Sequence, residues 1–323
     1  MRARLRQRWR RWAIRAPVPE TQPITLRQAR VYVLPTPTGL AVLATLLLMF
    51  IAAINYNLSL GYALTFFLAS IGVVHILHSW RTLTRLQISL QPSGEVFAGS
   101  MGTWQITLTN AQALQRPALC VRDAVGLELI RTDLAPNASI SLHIGLPCPQ
   151  RGIQQPGQLC IETRQPLGWI RAWSYIEPDA PHLAFPTPAG TQPLPLQAAG
   201  LTEGGTGLIA GQDDFAGLRG FHPGDSLRHV AWKQLARGQG MLTKIFAGSQ
   251  TPACVLDWHD LPHAMPAESR LSQLCQWVLA ARQAGVRTTL ILPDGTIGPG
   301  QDAIHHQTCL TRLALFGKGA AHG

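Results

Sequence analysis

The chain has 323 residues, 46% of them hydrophobic and only 14% charged, with 27 Lys+Arg against 17 Asp+Glu. That length holds about two domains. Its apolar and aromatic content excludes an intrinsically disordered chain, and its six scattered cysteines exclude a disulfide scaffold. The net charge of +10 is unevenly placed: residues 1–37 carry +8, residues 38–80 contain no Asp, Glu, Lys or Arg, and residues 81–323 carry +2. Basicity confined to a tail beside an uncharged stretch is a membrane signal before it is a nucleic-acid signal.

Residues 1–37 read as a basic cytoplasmic tail. Its start places Leu5, Trp9, Trp12 and Ala16 at helical spacing among arginines. The run is either an interfacial helix, held to anionic lipid by about 1 kcal/mol per Arg, or a solvated topogenic tail. Nucleic-acid or anionic-lipid binding through this tail is an alternative role. The near-neutral remainder argues against strong counterion release, so no nucleic-acid partner is expected.

Residues 38–80 read as a transmembrane hairpin with spans at about 38–56 and 58–77. A bilayer core of about 30 Å needs about 20 apolar residues in a helix; the second run meets that length, and the first meets it only with Gly39 and Tyr56 counted in. Asn55, Tyr56 and Asn57 between them leave room only for a tight turn. The turn has no Lys or Arg, whereas Arg27 and Arg30 precede the first span and Arg81 and Arg85 follow the second. The positive-inside rule therefore predicts an inner-membrane protein with both termini in the cytoplasm. In a reducing compartment Cys120, Cys148, Cys160, Cys254, Cys275 and Cys309 are expected to be buried free thiols.

From 84 to 177 the period changes to short alternating runs. Strands are predicted at 86–90, 103–109, 118–122, 139–144, 158–163 and 169–175, divided by turns such as Pro92-Ser93-Gly94 and Pro136-Asn137. Runs of this spacing indicate an antiparallel β-sandwich. Residues 178–212 read as a Pro/Gly linker with one short strand at 182–185. Its Gly204-Gly205-Thr206-Gly207 lacks the Gly-Lys-Ser/Thr of a phosphate loop.

Residues 213–323 hold a dense motif and then an α/β pattern. Pro223-Gly224 predicts a turn, with Asp225 or Ser226 capping a helix that runs to about Ala236. Leu227, Val230, Ala231 and Leu235 form its apolar face, Arg228, Lys233 and Arg237 project elsewhere, and Met241–Phe246 is a strand. A folding role is the expectation for most of these residues: Asp225 as a helix cap, Trp232 as a core anchor, and Arg219, Arg228 and Arg237 as clamps on backbone carbonyls. The basic set Arg219, Arg228, Lys233, Arg237 and Lys244 is the part suited to an acidic partner.

Gly217-Leu218-Arg219, Pro223-Gly224-Asp225, Arg228, Val230, Trp232-Lys233, Ala236-Arg237 and Lys244 closely resemble the signature of the bacterial "domain of unknown function 58" family. Arg151-Gly152, Gln165-Pro166-Leu167-Gly168-Trp169 and the paired spans extend the resemblance to about residues 40–320. The resemblance implies a membrane-attached protein with a von Willebrand factor A-like C-terminal part, often linked to MoxR-type AAA+ ATPases. It also implies a scaffold or partner role rather than a named reaction.

Beyond the motif, a strand at Ala253–Leu256, a helix at 267–284 ended by Gly285, a strand at 287–292 and a helix at 302–316 make a parallel α/β unit. This is consistent with a Rossmann-like A domain, though short for a complete one. Metal-binding A domains place Asp-x-Ser-x-Ser at the end of such a strand, supplying oxygen ligands to a hard cation. Asp257 stands at that place, but His259 and Leu261 occupy the serine positions. A metal-dependent adhesion or hydrolytic site at Asp257 is the alternative reading. No cofactor, small-molecule substrate or catalytic residue is expected.

Overall fold

A computed structural model describes residues 19–197, 210–222, 230–238, 240–247 and 253–318. It divides into two compact units, residues 1–187 with 317–323, and residues 188–316. The basic run 1–16 and the Gly204–Gly207 segment lie outside the described residues.

The first unit begins with β1 (Ile24–Thr25), β2 (Tyr32–Pro35), α1 (Pro37–Asn55) and α2 (Ser59–Leu83). Strands β3 (Leu86–Ser93), β4 (Val96–Phe97), β5 (Ser100–Asn110), β6 (Arg116–Arg122) and β7 (Glu128–Leu134) follow. They lead to β8 (Ser139–Cys148), β9 (Gly152–Gln154), β10 (Leu159–Thr163), β11 (Ile170–Ile176) and β12 (His182–Phe185). Antiparallel sheets in the orders β1-β3-β5-β8 and β2-β11-β10-β6-β7 enclose one apolar core. Alternation along β3, β5 and β11 sends Ile88, Leu90, Trp104, Ile106, Leu108, Ala172 and Ile176 inward. The Trp104 indole donates to the Ala180 carbonyl at 3.0 Å, so its one polar atom is satisfied.

Two boundaries differ from the sequence reading. The sandwich does not start at 84, because residues 19–35 of the supposed tail belong to it. Ile24 and Leu26 enter its core, and Arg30 is buried in a two-point ion pair with Glu20 at 2.6 and 2.7 Å. A charge neutralised in this way adds little to the positive flank of the first span. Strand β7 went unnoticed because a half-exposed edge strand with Glu128, Arg131 and Asp133 shows no clear alternation.

Helices α1 and α2 are long and apolar enough to cross a membrane, with peak mean hydropathies of 2.3 and 1.9. Only 11% of either window is buried, whereas a soluble core helix is mostly covered. Leu43, Leu47, Leu48, Ile51, Phe66 and Phe67 are each more than half exposed. Phe50 meets Tyr62 and Phe66 edge-on at 6.1 and 5.9 Å, joining the two helices. The turn between them bends at Asn57, whose φ of 49° is a conformation asparagine tolerates.

The second span runs six residues beyond its predicted end at 77, and those last turns pack on the sandwich. Leu83 joins the apolar core. Arg116, fully buried, donates to the Thr82 carbonyl, to the Thr84 carbonyl at 2.9 Å and to Asn110 Oδ1 at 2.8 Å. Burial pushes its pKa down to about 10, so it is still charged at neutral pH. A cation on the last carbonyls of a helix also opposes the negative end of its dipole.

The Gln165–Trp169 loop grips both helices. Ser79 of α2 donates to the Gln165 carbonyl at 2.7 Å, and Thr36, which caps α1, donates to Gly168 at 2.7 Å. His75 meets Trp169 edge-on at 6.2 Å. A Cβ on Gly39 would overlap the Trp169 carbonyl oxygen, so only glycine lets the first turn of α1 lie this close.

The second unit holds β13 (Leu196–Gln197), β14 (Ala210–Gly220), α3 (Trp232–Leu235), β15 (Leu242–Ala247) and β16 (Ala253–Asp257). It ends with α4 (Ala267–Ala284), β17 (Arg287–Leu292), β18 (Gly295–Gly300) and α5 (Ala303–Leu315). One sheet has the order β13-β16-β17-β18, in which only β16 and β17 are parallel, joined through α4. Gly285 in the left-handed region ends α4, with the Val286 N–H returning to the Ala281 carbonyl at 3.0 Å. Residues 196–197 and 210–212, read as linker, are therefore strand. Strand β18, with three glycines and a proline, carries no periodic signal.

Candidate functional site

The described residues of the motif build a small two-stranded sheet, β14 with β15. Gly217, Leu218 and Arg219 sit in β14 opposite Ile245, Lys244 and Thr243 of β15. Val230 forms an isolated antiparallel bridge to the same Thr243. Arg219, Thr243 and Val230 therefore occupy one line across this region. Pro223, Gly224, Asp225 and Arg228 lie outside the described residues.

The expected helix through Ala236 is corrected to the single turn α3. Val230 is extended, and the Ala231 N–H donates to Leu242 at 2.8 Å, which holds both residues beside β15. Their side chains are buried. The helical turn that follows this pair starts at Trp232, and Gly238, with φ of 76°, lies just beyond its end. Apolar spacing alone could not separate a buried extended pair from one face of a helix.

The consequence falls on Trp232, for which a core anchor was one reading. Its side chain is 53% exposed. Leu235, three residues on and on the same side of the turn, is 37% exposed, as is Met241 before β15. Lys233 and Arg237 are exposed beside them. An exposed indole with Leu235 one turn on and Lys233 and Arg237 close in sequence has the composition of a protein contact surface, where Trp and Arg dominate the energy. Sequence reasoning placed Leu235 on the buried face of the helix and Met241 in the following strand, and took neither for a surface residue.

No protein-family model matches this chain, and no curated protein matches it.

Asp257 ends β16 as expected, but its chemistry is spent locally. Its Oδ1 accepts from the His259 N–H and from His259 Nδ1, each at 2.8 Å, which caps the short 3-10 turn Trp258–Asp260. Burial would raise its pKa, yet these two bonds and the imidazole charge outweigh it and hold the carboxyl below its ordinary value. Among the described residues, no three His, Cys, Asp or Glu side chains group as a metal site. Asp260 and His263 do not join Asp257 in one. Trp258 is covered instead by Arg270 at 5.1 Å and Phe316 at 4.9 Å.

The six cysteines are all buried free thiols. Burial pushes Cys160 and Cys309 up to about 12 and Cys120 up to about 11, helped in Cys120 by its bond to Glu128. Thiols held protonated in this way are poor nucleophiles and poor metal ligands.

Proposed function

We propose that the chain is a membrane-anchored scaffold of the "domain of unknown function 58" type. In this reading α1 and α2 span the inner membrane with both termini in the cytoplasm. The sandwich then carries an incomplete A-like α/β unit to a protein partner, plausible candidates being MoxR-type AAA+ ATPases. The role is that of an adaptor and not of an enzyme.

The observation that carries this reading is the exposed Trp232 with Leu235, Lys233 and Arg237 on the motif that bears the family resemblance. Tryptophan and arginine together are the residues most enriched where proteins meet. The firm joint between hairpin and sandwich supports an anchoring role: Arg116, Ser79 and Thr36 tie both helices to the same β-domain.

The test is binding of the purified full-length chain to a purified MoxR-type ATPase in detergent. Truncating an interface tryptophan typically costs at least about 2 kcal/mol, so Trp232→Ala should weaken binding by about thirtyfold. Arg237→Glu should weaken it further at low salt. Equal binding by the wild type and both variants would remove this surface from the account.

A further inference from the structure

On the outer face of the five-stranded sheet, the row beside the Gln165–Trp169 loop holds Leu34, Arg171 and Arg164. Leu34 is paired with Arg171, and the pairing of Thr163 with Ala172 brings Arg164 opposite Arg171 one step further on. Two guanidiniums directly opposite one another repel. Both turn to Glu162 in the next row, whose side chain is only 2% exposed. Arg171 Nε donates to it at 2.6 Å, Arg122 Nε at 2.9 Å, and Arg164 Nη2 lies 3.5 Å away. One carboxylate thus faces three cations. Arg122 is shared with Glu128, which Arg131 also holds at 2.9 Å, so that second acid is already paired. Asp133 lies on the far side of β6, accepting from the Ala118 N–H at 2.6 Å.

The shortage of negative charge is greatest at Arg164, whose side chain is 57% exposed and, among the described residues, makes only the one long contact. The Gly168 N–H donates to the Arg164 carbonyl at 2.8 Å, and Arg171, three residues on at about 3.3 Å each, lies within about 10 Å of Gly168. The Gly168 carbonyl is in turn bonded to Thr36 at the entry to α1. Leu34 and Leu167 are exposed on either side of the pair. A basic pair flanked by bare leucines, at the level where two apolar helices leave the protein, has the chemistry of a lipid–water interface.

We propose that Arg164 and Arg171 bind the phosphate of an anionic phospholipid, with Leu34 and Leu167 resting against its acyl chains. The inference rests on the membrane reading of α1 and α2, and it adds a lipid preference to that reading. The bound phosphate would supply the charge that Glu162 alone cannot, and the Arg171 guanidinium, stacked 4.9 Å above Trp173, is already held in place to receive it.

The experiment uses the full-length chain, purified in detergent and delipidated, then titrated with phosphatidylglycerol or phosphatidylcholine under native mass spectrometry. Wild type should retain phosphatidylglycerol preferentially. Arg164→Gln should lose about fivefold of that preference, the worth of one cation at a membrane surface. Arg164→Lys, which keeps a point charge for phosphate, should retain most of it, and Arg131→Gln should leave it unchanged. Equal retention of the two lipids, or an Arg164→Gln chain indistinguishable from wild type, would overturn the proposal. So would displacement of the lipid by inorganic phosphate, which would assign the pair to a free anion. A carbonate wash separates the two readings: a chain that stays in membranes without lipid preference loses only this inference, whereas a chain released from them loses both.

Discussion

Arg116 offers the sharpest perturbation of the joint between span and sandwich. It is fully buried, and its guanidinium serves the Thr82 and Thr84 carbonyls, Asn110 Oδ1 and Gln112 Oε1. Arg116→Met keeps much of the volume and removes every donor. Leaving a buried acceptor without its partner costs about 1–3 kcal/mol. The two carbonyls at the end of α2 cannot turn to water, so a net loss of about 4 kcal/mol is expected, discounting for relaxation at the two side chains. A domain of this size loses about 2–4 °C of melting temperature per kcal/mol, which places the shift near 10 °C. The assay is thermal unfolding of the full-length chain in detergent, followed by tryptophan fluorescence, with Trp104 as a buried reporter. Arg116→Lys, retaining a charge but not the planar fork, should fall between the two. A melting temperature for Arg116→Met within about 2 °C of wild type would refute the claim that this side chain fastens the helix end.

Two further outcomes follow from the same geometry. Gly39→Ala forces a methyl into the Trp169 carbonyl, so it should destabilise by about 1–3 kcal/mol and expose the Gln165–Trp169 loop to limited proteolysis. The cysteines fix an alkaline limit: thiols whose pKa is raised in the folded state keep their full contribution below about pH 9 and lose it as pH rises toward the folded values of about 11 and 12. Stability should therefore decline above pH 9, less steeply in Cys160→Ala, and iodoacetamide at pH 8 should label the native chain far more slowly than the urea-unfolded one.

What the sequence disclosed depended on how much physics was local. The uncharged stretch before Arg81 and the alternating runs of β3, β5 and β11 declare themselves within ten to twenty residues, because burial on one face requires that pattern. Gly285 likewise announced the end of α4. Strands β1 and β2 hid inside an arginine-rich segment, since nothing local reveals that Arg30 is neutralised by Glu20 and the Tyr175 carbonyl. The last turns of α2 were missed for a related reason: Ser79, Thr82 and Leu83 are buried by the sandwich rather than by lipid, and their composition resembles an interface. In the motif, Val230 and Ala231 fit helical spacing equally well, and only their pairing with β15 shows that the helix begins later. That one difference moves Trp232 from the interior to the surface. Strand β14 was not foreseen, because a strand rich in glycine carries no alternation to read.

Single-cysteine accessibility in intact cells tests the membrane account most directly. Tyr56, 70% exposed in the turn between α1 and α2, is replaced by cysteine in one chain, and the exposed Lys233 in another. The six native thiols are buried and stay silent as background. A membrane-impermeant maleimide should label Tyr56→Cys in sealed cells and Lys233→Cys only after permeabilisation. Labelling of Lys233→Cys from outside, or of neither position until the cells are broken, would contradict a hairpin that crosses the bilayer and holds the folded domains in the cytoplasm.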